Sequence, residues 1–263
     1  LVNGKIKPSD VLYNTLKSKH IIMDRDSSVA LDLLALKYRT KQNRVSQFTS
    51  LHMFVVTLRC DYTCKYCQVS RQTEDVDTFD MSEETALAAL ELMFMSPSKS
   101  LKIEFQGGEP LLNFKLIQFI VTSALKMNLT EKRKLQFVIT SNLSFVDDDV
   151  LKFCGDHDIY LSTSLDGPEE LHNKNRPRRD KNSYEKFVEG LTKTRDALGY
   201  DQVSALMTTT EDSLKDVRGI IDEYLMLGFN GIFLRPLSPY GFAIKTKKFL
   251  SYQAERWFDF YKA

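Results

Sequence analysis

The sequence contains few of the residues that mark secreted or membrane-bound proteins. It has four cysteines in 263 residues, and three of them lie in one short segment, which is not a disulfide framework. No apolar run approaches the roughly 20 residues that a membrane-spanning helix needs, and the N-terminus lacks a signal-peptide pattern. We therefore expect a cytoplasmic protein with no membrane partner.

The sequence also lacks an excess of charge of either sign. It carries 36 basic and 35 acidic residues, which gives a formal net charge of +1. Proteins that bind nucleic acid by neutralising many phosphates normally carry a clear basic excess, so we expect no nucleic-acid partner. With 43% hydrophobic and 27% charged residues, the composition is that of a folded globular protein.

The first part of the chain differs in pattern from the rest. Two segments in residues 1–50, "PSDVLYNTLKSKHII" and "SSVALDLLALKYRT", have helical patterns and are followed by a basic stretch. We predict a small, mostly helical N-terminal unit over residues 1–50 and a main domain over residues 51–263. Because the chain begins without Met and stops inside an apparent helix, we expect it to be a piece of a longer protein that has lost a C-terminal extension.

Six short apolar runs, rich in β-branched and aromatic residues, alternate with helical segments in the main domain. Such alternation produces repeated βαβ units and a parallel sheet. Six units are too few for a closed eight-stranded barrel, so we predict an α/β fold, a partial (βα)6 TIM-like barrel. The runs are "HMFVVTL", "LKIEFQ", "LQFVIT", "IYLSTSL", "QVSALMT" and "GIFLRPL".

A polar or glycine-rich element follows every predicted strand. Chemistry in parallel α/β folds takes place at the carboxyl ends of the strands, so this pattern indicates an enzyme. The elements begin with Cys60 and continue with residues 107–110, 141–143, 164–168, 208–210 and 235–241.

Cys60, Cys64 and Cys67 lie in a loop directly after the first predicted strand. The spacing C-x₃-C-x₂-C allows three thiolates to converge on one metal centre. A structural zinc site normally takes four protein ligands, and iron–sulfur clusters are also commonly bound by four cysteines. Three ligands leave one metal position open, which favours a substrate-binding iron–sulfur centre, with zinc as the alternative.

The segment "CDYTCKYC" resembles the cysteine motif of the radical S-adenosylmethionine (SAM) superfamily. The resemblance implies that Cys60, Cys64 and Cys67 hold a [4Fe–4S] cluster whose open iron binds SAM, and that Tyr66 packs near the adenine. It further implies reductive cleavage of SAM to a 5′-deoxyadenosyl radical, with flavodoxin or ferredoxin as the electron donor. It covers the chain from about Leu51 onward.

Further strand-end motifs resemble cofactor-binding elements of the same family. "FQGGEP" resembles the element that meets the SAM amino group, and "TSNL" resembles a cofactor-contacting turn in which Leu143 replaces a glycine. "STSLDGP" resembles a turn whose serine binds the SAM carboxylate, and the fifth strand end is a candidate for the ribose. Plain β-to-α turns are the structural alternative. The predicted cofactor-binding residues are Tyr66, Gly107, Gly108, Glu109, Ser141, Asn142, Ser164 and Thr208.

At a finer level the chain resembles one branch of the superfamily, the maturases of the His-Xaa-Ser peptide system, which are related to sulfatase-maturase-like enzymes. The likeness rests on "SLDGPEELHNKNRPR", "SALMTTT" and "FLRPLSPYGFA". It implies modification of a ribosomally made precursor peptide, with a partner maturase as a further candidate. Two alternatives stay open: a radical SAM enzyme acting on RNA or a small metabolite, and a non-catalytic, metal-stabilised peptide-binding module.

Catalytic residues are not assigned by the sequence, and Arg235 and His172 are the candidates. Arg235 follows the sixth strand and is expected to bind a cofactor or substrate carboxylate, whereas His172 either donates a proton or orders its loop. Arg176 or Arg178, in the basic loop "KNRPRRDKN", either clamps an acidic stretch of peptide or forms a solvated surface. The fourth cysteine, Cys154, is predicted to be a small core residue.

Overall fold

The predicted strands form one six-stranded parallel sheet in the described part of the chain, with strand order β1-β2-β3-β4-β5-β6. The computed structural model describes residues 6–23, 28–43, 45, 48–73 and 75–263. The predicted α/β class and partial barrel are confirmed. The strands are β1 (Leu51–Thr57), β2 (Ser100–Gly107), β3 (Lys134–Thr140), β4 (Ile159–Ser164), β5 (Val203–Thr208) and β6 (Phe233–Arg235).

Helices follow the strands, and two of them begin at polar residues that cap the first turn. Ser82 accepts a hydrogen bond from Thr85 N at 3.1 Å, and Asp147 accepts one from Val150 N at 2.9 Å, so both cap a first helical turn. The helices of this region are α3 (Val76–Phe79), α4 (Glu83–Phe94), α5 (Phe114–Glu131), α6 (Asp148–Asp156), α7 (Glu169–Asn175), α8 (Ser183–Leu198), α9 (Val217–Met226), α10 (Phe242–Leu250) and α11 (Ala254–Lys262).

The alternation of residues along β2 shows how the sheet separates its core from its site. Leu101, Ile103 and Phe105 are fully buried in the main hydrophobic core. The residues between them are polar and only partly buried, and Glu104 is one of these. Because side chains of a strand alternate between the two faces of a sheet, the polar set points into the barrel. Cys154 is buried in α6 within the core, as predicted.

The barrel is open between its first and last strands. In the described residues β1 pairs with β2, and β6 pairs with β5, but β1 and β6 are not neighbours in the sheet. Beyond β1 the chain folds back beside its end, where Gln72 N donates to Leu58 O at 2.8 Å and Arg59 bridges to Gln72 in parallel. The carboxyl end of β1 therefore has a covered edge.

Residues before the sheet form a unit of their own. The chain divides into Leu1–Phe48 and Thr49–Ala263, and the first unit contains α1 (Val11–Ser18) and α2 (Val29–Gln42). These two helices fall in the two segments predicted to be helical. No helix among the described residues is long and apolar enough to cross a membrane.

Candidate cofactor site

One cavity at the carboxyl ends of the strands is lined by all three clustered cysteines. Residues from the ends of β1, β2, β3, β4 and β6 meet there, as expected for a parallel sheet. Of the predicted site residues, the lining includes Cys60, Cys64, Tyr66, Cys67, Gly107, Gly108, Ser141, Asn142, Ser164 and Arg235.

The cysteine loop is fixed by backbone contacts with the segment after α7. Thr63 N donates to Pro177 O at 2.7 Å, and Lys65 N donates to Asn175 O at 3.1 Å. On its other side the loop contacts α10, where Phe242 N donates to Cys67 O at 2.8 Å. Backbone contacts on both sides therefore hold the loop in position.

Asp61 connects this loop to two further segments. Its carboxylate accepts a hydrogen bond from Asn142 Nδ2 at 2.8 Å and one from Arg178 Nε at 3.1 Å. Arg178 also donates to Asp180 and Asn182. In this structure Arg178 therefore supports the cysteine loop. This role differs from the predicted one, in which the arginine clamps a peptide.

The donor set of the loop fits an iron–sulfur cluster. Cysteine thiolates are the usual ligands of such clusters. Burial raises the pKa of the Cys60 thiol above its ordinary range and that of Cys64 to about 12, because it disfavours an uncompensated thiolate. Binding to a cationic centre supplies the compensating charge and releases these protons. Among the described residues no group of three His, Cys, Asp or Glu side chains is arranged to hold a single metal ion. A cluster has no such requirement, because each thiolate binds a different iron.

The two glycines at the carboxyl end of β2 are required by the packing of β1 against β2. A Cβ on Gly107, whose φ is +153°, would lie 2.1 Å from Thr57 O, and one on Gly108 would lie 2.1 Å from Arg59 O. Gly108 N donates to Thr57 O at 2.9 Å, so the close approach is part of the strand pairing. The absence of side chains also leaves the backbone open to the cavity.

Glu109 does not line the cavity, although it was predicted to bind the SAM amino group. It is fully buried and accepts hydrogen bonds from Leu111 N (3.1 Å), Ser141 Oγ (2.8 Å) and Asn142 N (2.7 Å). Burial raises the pKa of this carboxyl to about 7. In this structure Glu109 connects the ends of β2 and β3.

The raised pKa of Glu109 predicts a specific pH dependence of stability. The folded state retains the proton up to about pH 7, whereas the unfolded chain releases it near 4.5, so the free energy of unfolding decreases as pH rises between these values. At about 1.4 kcal/mol per pKa unit the decrease amounts to about 3 kcal/mol. Urea unfolding of the wild type and of Glu109→Gln from pH 5 to 8 measures it. Parallel curves for the two proteins would contradict the assignment.

The turn after β3 keeps a glycine-like backbone in spite of its leucine. Leu143 has φ +65° and is buried, and its N–H donates to Ser141 Oγ at 2.9 Å. A left-handed conformation costs a non-glycine residue roughly 1–2 kcal/mol, which burial of the leucine side chain offsets. Ser141 and Asn142 consequently reach the cavity although glycine is missing.

Tyr66, Asp166 and Arg176 form a buried polar group beneath the cysteine loop. The Tyr66 hydroxyl hydrogen-bonds to the Asp166 carboxylate, and the Arg176 guanidinium carbon lies 5.5 Å from the centre of the Tyr66 ring. Arg176 Nε is 3.5 Å from Asp166 Oδ1. These contacts fix the ring of the aromatic residue in the cysteine motif.

Two predicted site residues, His172 and Thr208, are not part of the cavity wall. His172 is buried, its pKa is lowered well below the ordinary value by burial, and Asp166 N lies 3.5 Å from its Nδ1. It thus orders the turn after β4 and is not placed as a proton donor. Thr208 is also buried, and its Oγ1 accepts a hydrogen bond from Arg235 at 3.3 Å, so it supports Arg235, while the ribose contact stays a prediction.

Several cavity residues were not predicted from the sequence, notably Arg71, Glu104 and Gln106. The alternation of buried and polar residues along β2 could have indicated Glu104 and Gln106, because a polar residue between buried ones faces the inside of the barrel. Arg71 lies only four positions after Cys67, and its place in the cavity depends on how the chain folds back beside β1.

The partial barrel and its three-cysteine cavity define a class of metallocluster-dependent α/β enzymes. The sequence profile of the Radical SAM superfamily matches residues 54–223, which is more than half of the chain. This protein therefore belongs to the Radical SAM superfamily, whose members use a [4Fe–4S] cluster and SAM.

Individual proteins with similar sequence or structure agree with this assignment. A cysteine-type anaerobic sulfatase-maturating enzyme of Clostridium perfringens (strain 13 / Type A) is 24% identical over 121 residues, 44% of this chain and 32% of that protein. The structure of native anSMEcpe with bound AdoMet matches 72% of this chain and 51% of its own, with a TM-score of 0.64 and 19% identity. Streptococcus suis SuiB bound to precursor peptide SuiA matches 87% of this chain and 51% of its own, with a TM-score of 0.54 and 14% identity.

The chain thus spans about a third of the length of the curated relative and about half of each solved chain.

Proposed function

We propose that this protein is a radical SAM maturase that modifies residues of a ribosomally made precursor peptide, as in the His-Xaa-Ser peptide system. The observation that carries the proposal is the cavity in which three thiols, Tyr66 and the glycines at the end of β2 meet at the carboxyl ends of the strands. The peptide substrate is suggested by the sulfatase-maturating relative and by SuiB, which binds a precursor peptide. We further propose that it acts in the cytoplasm with a flavodoxin or ferredoxin as electron donor, and a partner maturase is a further candidate.

The cofactors supply one-electron cleavage of SAM and abstraction of a substrate hydrogen when they are bound. Cys60, Cys64 and Cys67 would hold the cluster, and Tyr66 would pack beside the adenine of SAM. Ser141, Asn142 and Ser164 offer hydroxyl and amide groups to its polar atoms. The loop contacts of Asp61 and Asn175 hold this arrangement in place.

The proposal is tested with the complete product of the gene, reconstituted without oxygen and given SAM, a reductant and a candidate precursor peptide encoded nearby. We expect 5′-deoxyadenosine and a peptide of altered mass. A deuterated peptide is expected to transfer deuterium to 5′-deoxyadenosine, and a peptide of scrambled sequence is the control. If 5′-deoxyadenosine forms but acquires deuterium only from RNA or a small metabolite, the peptide assignment is wrong.

A further inference from the structure

Three arginines line the cavity, and each has a buried Nε without a hydrogen-bond partner in the structure. They are Arg71, Arg176 and Arg235. Arg176 is buried, whereas Arg71 and Arg235 are half-buried. A cation that is partly withdrawn from water is stabilised by a counter-ion or an anionic ligand, because water solvates its charge less completely.

Arg176 has its partner within the protein. Its guanidinium lies close to Asp166 and beneath the Tyr66 ring, as described above. By contrast, the side chain of Arg71 makes no hydrogen bond or ion pair with any residue that the structure describes. Arg235 makes one hydrogen bond, to the neutral Thr208 hydroxyl at 3.3 Å. Within the described ranges, neither Arg71 nor Arg235 therefore has an anionic partner at ion-pair distance.

Arg71 and Arg235 approach the cavity from opposite edges of the open sheet. Arg71 belongs to the segment that lies beside the end of β1, and Arg235 is the last residue of β6. Since β1 and β6 border the opening of the barrel, the two cations lie on either side of this lateral entrance.

A carboxylate lies deeper in the same cavity. Glu104, in the middle of β2, accepts hydrogen bonds on Oε1 from Gln106 Nε2 at 2.7 Å and from Thr140 Oγ1 at 3.0 Å. Glu104 also lines a second, deeper cavity inside the barrel with Lys102 and Gln136. The Glu104 carboxylate disfavours a second anion directly beside it, so an anionic group in the cavity of the three cysteines is expected beside the arginines.

We propose that Arg71 and Arg235 form a carboxylate-binding site for the substrate, which on the proposed function is an aspartyl or glutamyl side chain, or the C-terminus, of the peptide. Planar guanidinium groups bind carboxylates with paired hydrogen bonds, and two of them on opposite walls fix the direction of the bound chain. The site would thus place an acidic group at the entrance and the reacting residue toward the cysteines.

The test measures protection of individual arginines from phenylglyoxal, with modified residues mapped by mass spectrometry. The protein is reconstituted and saturated with SAM, so that the cofactor carboxylate is already in place. The probes are Ac-Gly-Asp-Gly-NH₂, Ac-Gly-Gly-Gly-OH and, as the matched neutral control, Ac-Gly-Asn-Gly-NH₂. Arg218, whose side chain is 92% exposed on α9, serves as the reference arginine.

We expect at least one carboxylate probe at millimolar concentration to slow modification of Arg71 and Arg235 at least about threefold relative to Arg218, while the neutral peptide has no effect. The effective probe identifies an internal acidic residue or a C-terminus as the group bound. In Arg71→Gln, protection of Arg235 is expected to fall, and Arg71→Lys is expected to restore part of it.

Two results would overturn the carboxylate site: equal protection by the neutral peptide, or protection by SAM alone with no further effect of any carboxylate. The second result would assign the arginines to the SAM carboxylate. Because this assay reads binding alone, selective protection without any deuterium transfer from peptide would refute the proposed function and leave the carboxylate site standing.

Discussion

Replacing Cys64 with alanine is expected to reduce the iron content of the reconstituted protein from about four atoms per chain to near zero. Cys64 lines the cavity with Cys60 and Cys67, and the fourth cysteine, Cys154, lies in the core of α6. No other thiol in the sequence is close enough to replace it. The same loss is expected for alanine at Cys60 or Cys67.

The matched control is Cys154→Ala, which removes a thiol from the core and leaves the cavity untouched. It is expected to retain iron and the brown colour of the wild type while losing some stability, because a small buried side chain is shortened. Iron, sulfide and zinc analysis of all four alanine variants gives the result. Iron loss in Cys154→Ala with retention in Cys64→Ala would reverse the ligand assignment. One zinc per chain without sulfide would favour the metal-stabilised binding module.

The sheet was predictable because its signals are local. Each strand is a short apolar run, and the helices between them begin at residues such as Ser82 and Asp147 that cap a helix within one turn. The position of the cavity followed from the rule that parallel strands end at one edge. The three cysteines were found by spacing alone, since they share one loop.

The remaining features depend on contacts between distant parts of the chain. The buried carboxyl group of Glu109 accepts hydrogen bonds from residues on the turn after β3, more than 30 residues away in sequence. No local pattern reveals these partners. Arg178 was interpreted as part of a substrate clamp, but its partner Asp61 is 117 residues distant in sequence. His172 packs against Tyr184 and Phe187 of α8, and its burial lowers the pKa of its imidazole. Side-chain roles of this kind require the tertiary structure.

Gly108→Ala is expected to destabilise the protein strongly and to impair cluster retention. The new Cβ would meet Arg59 O at 2.1 Å and Leu58 O at 2.8 Å. These atoms belong to the backbone, so no side-chain rotation relieves the overlap. The ends of β1 and β2 would have to separate, which breaks the hydrogen bond from Glu109 N to Arg59 O (2.7 Å) and moves the residue directly before Cys60. Overpacking at such a site costs about 3 kcal/mol or more.

Gly231→Ala is the matched control, because nothing lies within 4 Å of a Cβ at that exposed position before β6. It is expected to change the free energy of unfolding by less than about 1 kcal/mol and to leave iron content unchanged. Urea unfolding gives the stability of both variants, and iron per folded chain after reconstitution shows whether the cysteine loop still binds the cluster. If the two variants behave alike, close contact between the β2 glycines and β1 is not what positions Cys60. If Gly108→Ala loses more iron than folded protein, separation of the two strand ends displaces the cysteine loop and weakens cluster binding.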